Sequence, residues 1–221
     1  IGSPAIRNHD PFMLLDQISS DYPDDYVAGF PSHPHRGFNT FTYMIDGHMR
    51  HNDSMGNSGD LGPGGAQWMK AGSGVIHSEM PQQESGRMRG FQLWINLPAA
   101  QKMTAPVYQD IRPQTIPEVN NEGATVRIVA GDFNGQLGPV TDPNTNFHFL
   151  DVSLEAGVQF VHTVTENDTA FIYLVEGSMT VGGDALKEQQ LAVLSNGEQV
   201  SVTGGSDAAR FLLVAGSTIG G

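Results

Sequence analysis

The feature that most constrains this chain is a strand-and-turn unit that occurs twice. "TFTYMIDGHM" (40–49) aligns with "AFIYLVEGSM" (170–179). Phe41, Tyr43, Gly47 and Met49 recur as Phe171, Tyr173, Gly177 and Met179, at an offset of 130 (171 − 41). Met44, Ile45 and Asp46 recur conservatively as Leu174, Val175 and Glu176. Each copy is an apolar and aromatic run that ends in an acidic residue and a glycine, which suits a strand entering a hairpin turn. Downstream, "AQWMKAGSG" resembles "QLAVLSNGE", a strand followed by another turn. Two such copies in 221 residues predict two similar all-β barrels or sandwiches.

Composition supports many tight turns, with 27 Gly and 13 Pro spread along the chain at no short period. Strands are expected at 38–46, 66–70, 90–97, 124–130, 147–154, 158–164, 169–176 and 209–216. Helical character is confined to "LPAAQKM" (97–103), with Pro98 at its first turn, and more weakly to "DALKEQQL" (184–191). Residues 54–65 read as a turn-rich loop. Residues 104–123, with Pro106, Pro113 and Pro117, read as the connection between halves. The expected domains are therefore 1–118 and 119–221.

Charge and residue usage exclude several classes of function. Eleven basic against 24 acidic residues give a net charge of −13. Phosphate backbones and anionic membranes repel such a surface, so neither is an expected partner. A neutral ligand, a metal cation or a basic protein patch is compatible. With no Cys there is no disulfide framework, thiolate metal site or Cys nucleophile. No apolar run reaches the roughly 18 residues of a membrane span. The first residues lack the apolar core of a signal peptide, and a cytoplasmic location is expected. The missing initiator Met suggests a chain trimmed at its start.

The chemistry lies in "SHPHRGFNTFTY" (32–43) and "GSGVIHSEMP" (72–81). Residues i and i+2 of a strand project from one face, roughly 6.6 Å apart along it. His33 and His35 form one such pair, and His77 and Glu79 form another. Three imidazoles and a carboxylate make an N/O site for a divalent first-row metal, leaving Fe, Mn, Ni, Cu, Co or catalytic Zn as candidates. The repeat supplies an internal control. The counterparts of His33 and His35 are Thr163 and Thr165, and "VSVT" stands near the counterpart of the second pair. The metal is thus expected in the N-terminal half only. His48 and His51 should lie past their strand, partly exposed, and His9, His148 and His162 show no paired ligand nearby. Ser78 should face away from its neighbours, which disfavours a hydrolase triad. "GPGG" lacks the ending of a phosphate-binding loop.

"HPHRGFNTFTYMIDG", "GGAQWMKAGSGVIHSEMP", "GFQLWINLP" and the early "NHDPFMLLDQI" resemble the signature segments of the pirins, a branch of the cupin superfamily. The resemblance covers nearly the whole chain. It implies a bicupin: two stacked antiparallel, jelly-roll-like β-barrels with few short helices. One mononuclear iron, Fe(II), would sit in the first barrel on His33, His35, His77 and Glu79, with the second site lost. It also implies a dioxygenase that opens flavonols such as quercetin with O₂, Glu79 accepting the substrate's proton. Phe30, Phe41 and Trp94 are expected to wall the substrate pocket. The alternative that the family offers is an iron-dependent, redox-sensing regulator that docks a partner protein. Two departures stand out. Most pirins carry glutamate where this chain has Asn39, expected beside the metal site, and this chain starts later than typical members.

Overall fold

The computed structural model describes residues 1–6 and 9–220. Asn8, which opens the "NHDPFMLLDQI" segment, lies outside them. The chain divides into two compact units, Ile1–Thr115 with the C-terminal residues from Ile219, and Ile116–Thr218.

Among the described residues, nine strands build the first unit: β1 (Phe12–Ser20), β2 (Phe30–His35), β3 (Phe38–Asp46), β4 (Met49–Asp53), β5 (Ser58–Leu61), β6 (Ala66–Lys70), β7 (Val75–Pro81), β8 (Met88–Asn96) and β9 (Val107–Ile111). They form one sheet of order β1-β8-β3-β6-β9 and another of order β2-β7-β4-β5, with every pairing antiparallel. The second unit holds β10 (Glu118–Asn121), β11 (Ala124–Ala130), β12 (Asp132–Phe133), β13 (Gln136–Leu137), β14 (His148–Leu154), β15 (Gln159–Thr163), β16 (Asp168–Glu176), β17 (Ser178–Val181), β18 (Asp184–Lys187), β19 (Leu191–Val193), β20 (Gln199–Gly204) and β21 (Ala209–Ser217). Its wiring repeats the first. β14-β21-β16-β19 stands where β1-β8-β3-β6 stood, and β15-β20-β17-β18 where β2-β7-β4-β5 stood. The aligned segments of the sequence thus become equivalent strands, β3 with β16 and β6 with β19.

The recurring glycine has a steric reason. Gly47 and Gly177 take φ of 94° and 83°, where L side chains are strained, at the turns that carry β3 into β4 and β16 into β17. A Cβ on Gly177 would collide with the Ala208 carbonyl.

Local propensity gives way to pairing at several places. "DALKEQQL" is not helical: Gly182 and Gly183, both at positive φ, close a two-residue turn that folds β18 back onto β17. "LPAAQKM" yields only a 3₁₀ turn at Ala99–Gln101. The turn-rich stretch 54–65 contains β5, with Gly59 and Leu61 buried against β4. The connecting stretch 104–123 contains β9 and β10. Among the described residues, no helix is long and apolar enough to cross a membrane.

The interiors differ. Buried apolar residues from Ala124 to Ala215 fill the second unit, Phe133, Phe160, Ile172, Phe211 and Leu213 among them. In the first, Met44, Met49, Leu61, Met88 and Tyr26 form a smaller apolar cluster. The same unit also buries the polar side chains of Thr42, His51, Gln67, His77 and Glu79.

Candidate metal centre

The site rests on β2, β7 and β4. β2 is an edge strand, so Pro31 and Pro34 cost it no ladder hydrogen bond. Its register with β7 sets His33 opposite His77, and β4 on the other side of β7 sets His51 opposite Glu79. Alternation along β7 buries Val75, His77 and Glu79 and leaves Ile76 and Ser78 outside. Ser78 therefore faces away from the site, as its position between the two predicts.

Three imidazoles converge. His33 Nε2 lies 3.0 Å from His35 Nε2, and the His77 ring centroid is 4.5 Å from that of His33 and 4.8 Å from that of His35. The ligand atoms of His33, His35 and His77 fall within 4.8 Å of one another, as do those of His51, His77 and Glu79. Two nitrogens about 2.1 Å from one six-coordinate ion stand about 3.0 Å apart, so the His33–His35 spacing fits a shared cation. His77 Nε2 is buried with no hydrogen-bond partner. The donor set, nitrogen and oxygen without sulfur, suits iron and its first-row neighbours.

Electrostatics keep His35 and His77 in their binding form. Burial, then the nearby His33, pushes the His35 imidazolium down to about 4. Burial, then the surrounding imidazoles, takes His77 to about 3. Both rings are neutral near pH 7. Burial raises the Glu79 carboxyl above its ordinary value, opposed by a hydrogen bond from Gln92. Thr42 Oγ1 donates to Glu79 Oε1 at 3.2 Å, and Gln92 Nε2 donates to Oε2 at 2.8 Å. Trp94 Nε1 in turn donates to Gln92 Oε1 at 3.0 Å.

The expected surroundings are partly rearranged. Trp94 does wall the site: its ring meets His35 edge-on at 5.3 Å and packs against Phe38 at 4.7 Å. Phe41 and Asn39 do not. Thr42 reaches Glu79, so by alternation along β3 the side chains of residues 39 and 41 project from the opposite face. Phe41 there packs against Trp68 at 6.5 Å. Asn39 is fully buried there, both its polar side-chain atoms unpartnered. Phe30, the partner of Glu79 in the register of β2 with β7, lines a cavity of about 130 Å³ with Tyr26, Met49 and Met88.

His51 lies within β4 and is buried, where its place after the turn predicts partial exposure. It is 2 % exposed, with Nδ1 3.3 Å from His77 Nδ1 and Nε2 3.3 Å from Asp53 Oδ2. His48 stays out, near Asp60. In the second unit, His148 and His162 are buried together, Nδ1 to Nε2 at 3.3 Å, with Asp132 4.0 Å from the far nitrogen of His148. These two were expected to be isolated.

Two antiparallel barrels with one wiring, the first carrying a histidine–carboxylate cluster, define a double-barrelled cupin. The chain belongs to the pirin family: the Pirin model matches residues 1–95 and the Pirin C-terminal cupin domain matches 149–221. It is 45% identical over 222 residues to a pirin-like protein of Caulobacter vibrioides, spanning 100% of this chain and 80% of that one. It is 43% identical to Pirin-1 of Arabidopsis thaliana, over 96% of this chain and 73% of that one. Among solved structures, a quercetin 2,3-dioxygenase from Acinetobacter baumannii matches with a TM-score of 0.87 at 32% identity, covering 96% of this chain and 76% of that one.

Proposed function

We propose that this chain is a metal-dependent dioxygenase that opens flavonol-like rings with O₂, with iron(II) as its metal. The observation that carries the reading is that His77 shares one cluster of ligand atoms with His33 and His35 and another with the buried Glu79, beside an aromatic wall. The 32%-identical structure described as a quercetin 2,3-dioxygenase supports the substrate class. His33, His35 and His77 would hold the ion through nitrogen and Glu79 through oxygen. When bound, the ion supplies Lewis acidity and open positions for oxygen donors.

The protein's own groups do the rest. Trp94 and Phe38 offer flat faces to an aromatic ring, and the Trp94–Gln92 hydrogen bond fixes the indole plane. Glu79 is the base for the substrate's acidic hydroxyl, because burial raises its proton affinity. The proton belongs on Oε1: the Thr42 hydroxyl there can turn and accept, whereas the Gln92 amide nitrogen at Oε2 can only donate.

The test is quercetin consumption by iron-loaded protein, with O₂ uptake and carbon monoxide release followed together. Absence of turnover at full metal occupancy ends this reading.

A further inference from the structure

The geometry around His51 points to a control on which nitrogen of His77 is left free, an inference that rests on the metal site proposed above. Asp53 closes β4 with its side chain 1 % exposed. Its Oδ1 accepts from the Met55 and Asn57 backbone N–H groups, each at 2.9 Å, and its Oδ2 accepts from Asn57 Nδ2 at 2.8 Å. A carboxyl so surrounded by donors is a carboxylate with no proton to give. The nitrogen that faces it, His51 Nε2, must therefore carry the hydrogen.

The rest follows along the row. In a neutral ring with hydrogen on Nε2, Nδ1 is the acceptor. That acceptor lies 3.3 Å from His77 Nδ1, which then donates. With its hydrogen on Nδ1, His77 presents an unprotonated Nε2, the atom that is buried and unpartnered beside His33 and His35. Tyr108 stacks on His51 at 4.5 Å and 18° and holds the ring plane that this row requires. We propose that Asp53 and His51 are positioning residues that set the tautomer of His77 and so make Nε2 its metal-binding atom.

The opposite tautomer would place a hydrogen where the ion belongs, so the row bears on affinity as well as on orientation. Groups that orient a metal-binding histidine typically contribute roughly 10- to 100-fold to affinity. Asp53→Asn inverts the row once Asn57 turns its side-chain amide to present oxygen where Nδ2 now stands. The backbone donors of Met55 and Asn57 claim the remaining amide oxygen, the new amide N–H₂ faces His51 Nε2, and the hydrogen moves to Nδ1 on His51 and to Nε2 on His77.

The experiment reads tautomers in metal-free protein by long-range ¹H–¹⁵N correlation on ¹⁵N-histidine-labelled samples, followed by iron(II) or nickel(II) titration calorimetry. The native chain is expected to show His77 protonated on Nδ1. Asp53→Asn should show it on Nε2, with metal affinity lowered roughly 10- to 100-fold. His51→Gln, whose amide can both donate to Asp53 and accept from His77, should retain the native tautomer; His51→Leu should not. Native His77 protonated on Nε2 overturns the proposal. So does a folded Asp53→Asn protein with lower affinity and an unchanged tautomer, which would make the residue merely structural. Should Asp53→Asn fail to fold, the native spectrum and the Gln and Leu variants decide. Unchanged metal content in His77→Ala would instead remove the metal site itself, a result independent of the tautomers.

Discussion

The two barrels share a strand order and differ in what they enclose. Equivalent positions make the contrast direct. Thr42 on β3, which holds Glu79, corresponds to Ile172 on β16, which is fully buried in an apolar interior. β7 turns His77 and Glu79 inward, and β20 turns Val200 and Val202 inward. The enclosure therefore belongs to the topology, and the chemistry belongs to a few inward side chains. One barrel has a mainly apolar core, with His148 and His162 buried at its side. The other gives up part of such a core for buried polar groups, which cost stability unless partnered.

The sharpest way to break this contrast is to remove one residue from each interior. His77→Ala should lower metal content by an order of magnitude or more and leave the circular dichroism of a β protein unchanged. Elemental analysis beside the spectrum checks both. Leu213→Ala should do the reverse, costing about 2–5 kcal/mol in denaturant unfolding with metal content intact. Next comes acid. Burial, then its neighbour His148, pushes His162 down from 6.5 to about 4, and burial lowers His148 as well. Asp132 and Asp168 face His148 and oppose the shift. Both rings are neutral in the native state, while the unfolded chain takes up protons below about pH 6.5. Stability of the second unit should thus be full above that pH and fall as pH drops toward 4, by roughly 3 kcal/mol from His162 and by a further amount from His148. His162→Gln should flatten that slope in urea melts run across the window. The smallest expected effect is that of Gln92→Leu. It deletes a hydrogen bond that lowers the Glu79 pKa, so the acid limb of turnover should move to higher pH, with about tenfold weaker metal binding.

Much of this was legible in the residues. The repeat shows because strands bury alternate side chains, and the i, i+2 spacing of His33 with His35 and of His77 with Glu79 puts each pair on one face. What stayed hidden depends on register between strands. Asn39 and Phe41 look close to His35 along the chain, yet only the pairing of β3 shows that their side chains project away from Thr42. His51 follows a turn and reads as exposed until β4 is laid beside β7, opposite Glu79. His148 and His162 come from different sheets, and no spacing in one strand reveals them. At 184–191 the helix-forming residues were visible, but the glycine pair before them decides the fold.

The polar heart of the first barrel also bears on how the chain melts. With His77 and Glu79 where its twin has Val200 and Val202, that barrel gains from whatever bridges β2 to β7. A cation gripping both strands acts as a removable staple. By mass action, an ion at 100 times its dissociation constant adds about 2.7 kcal/mol. Calorimetry under chelation should then show two transitions, the N-terminal half giving way first, and restored iron should draw them back together.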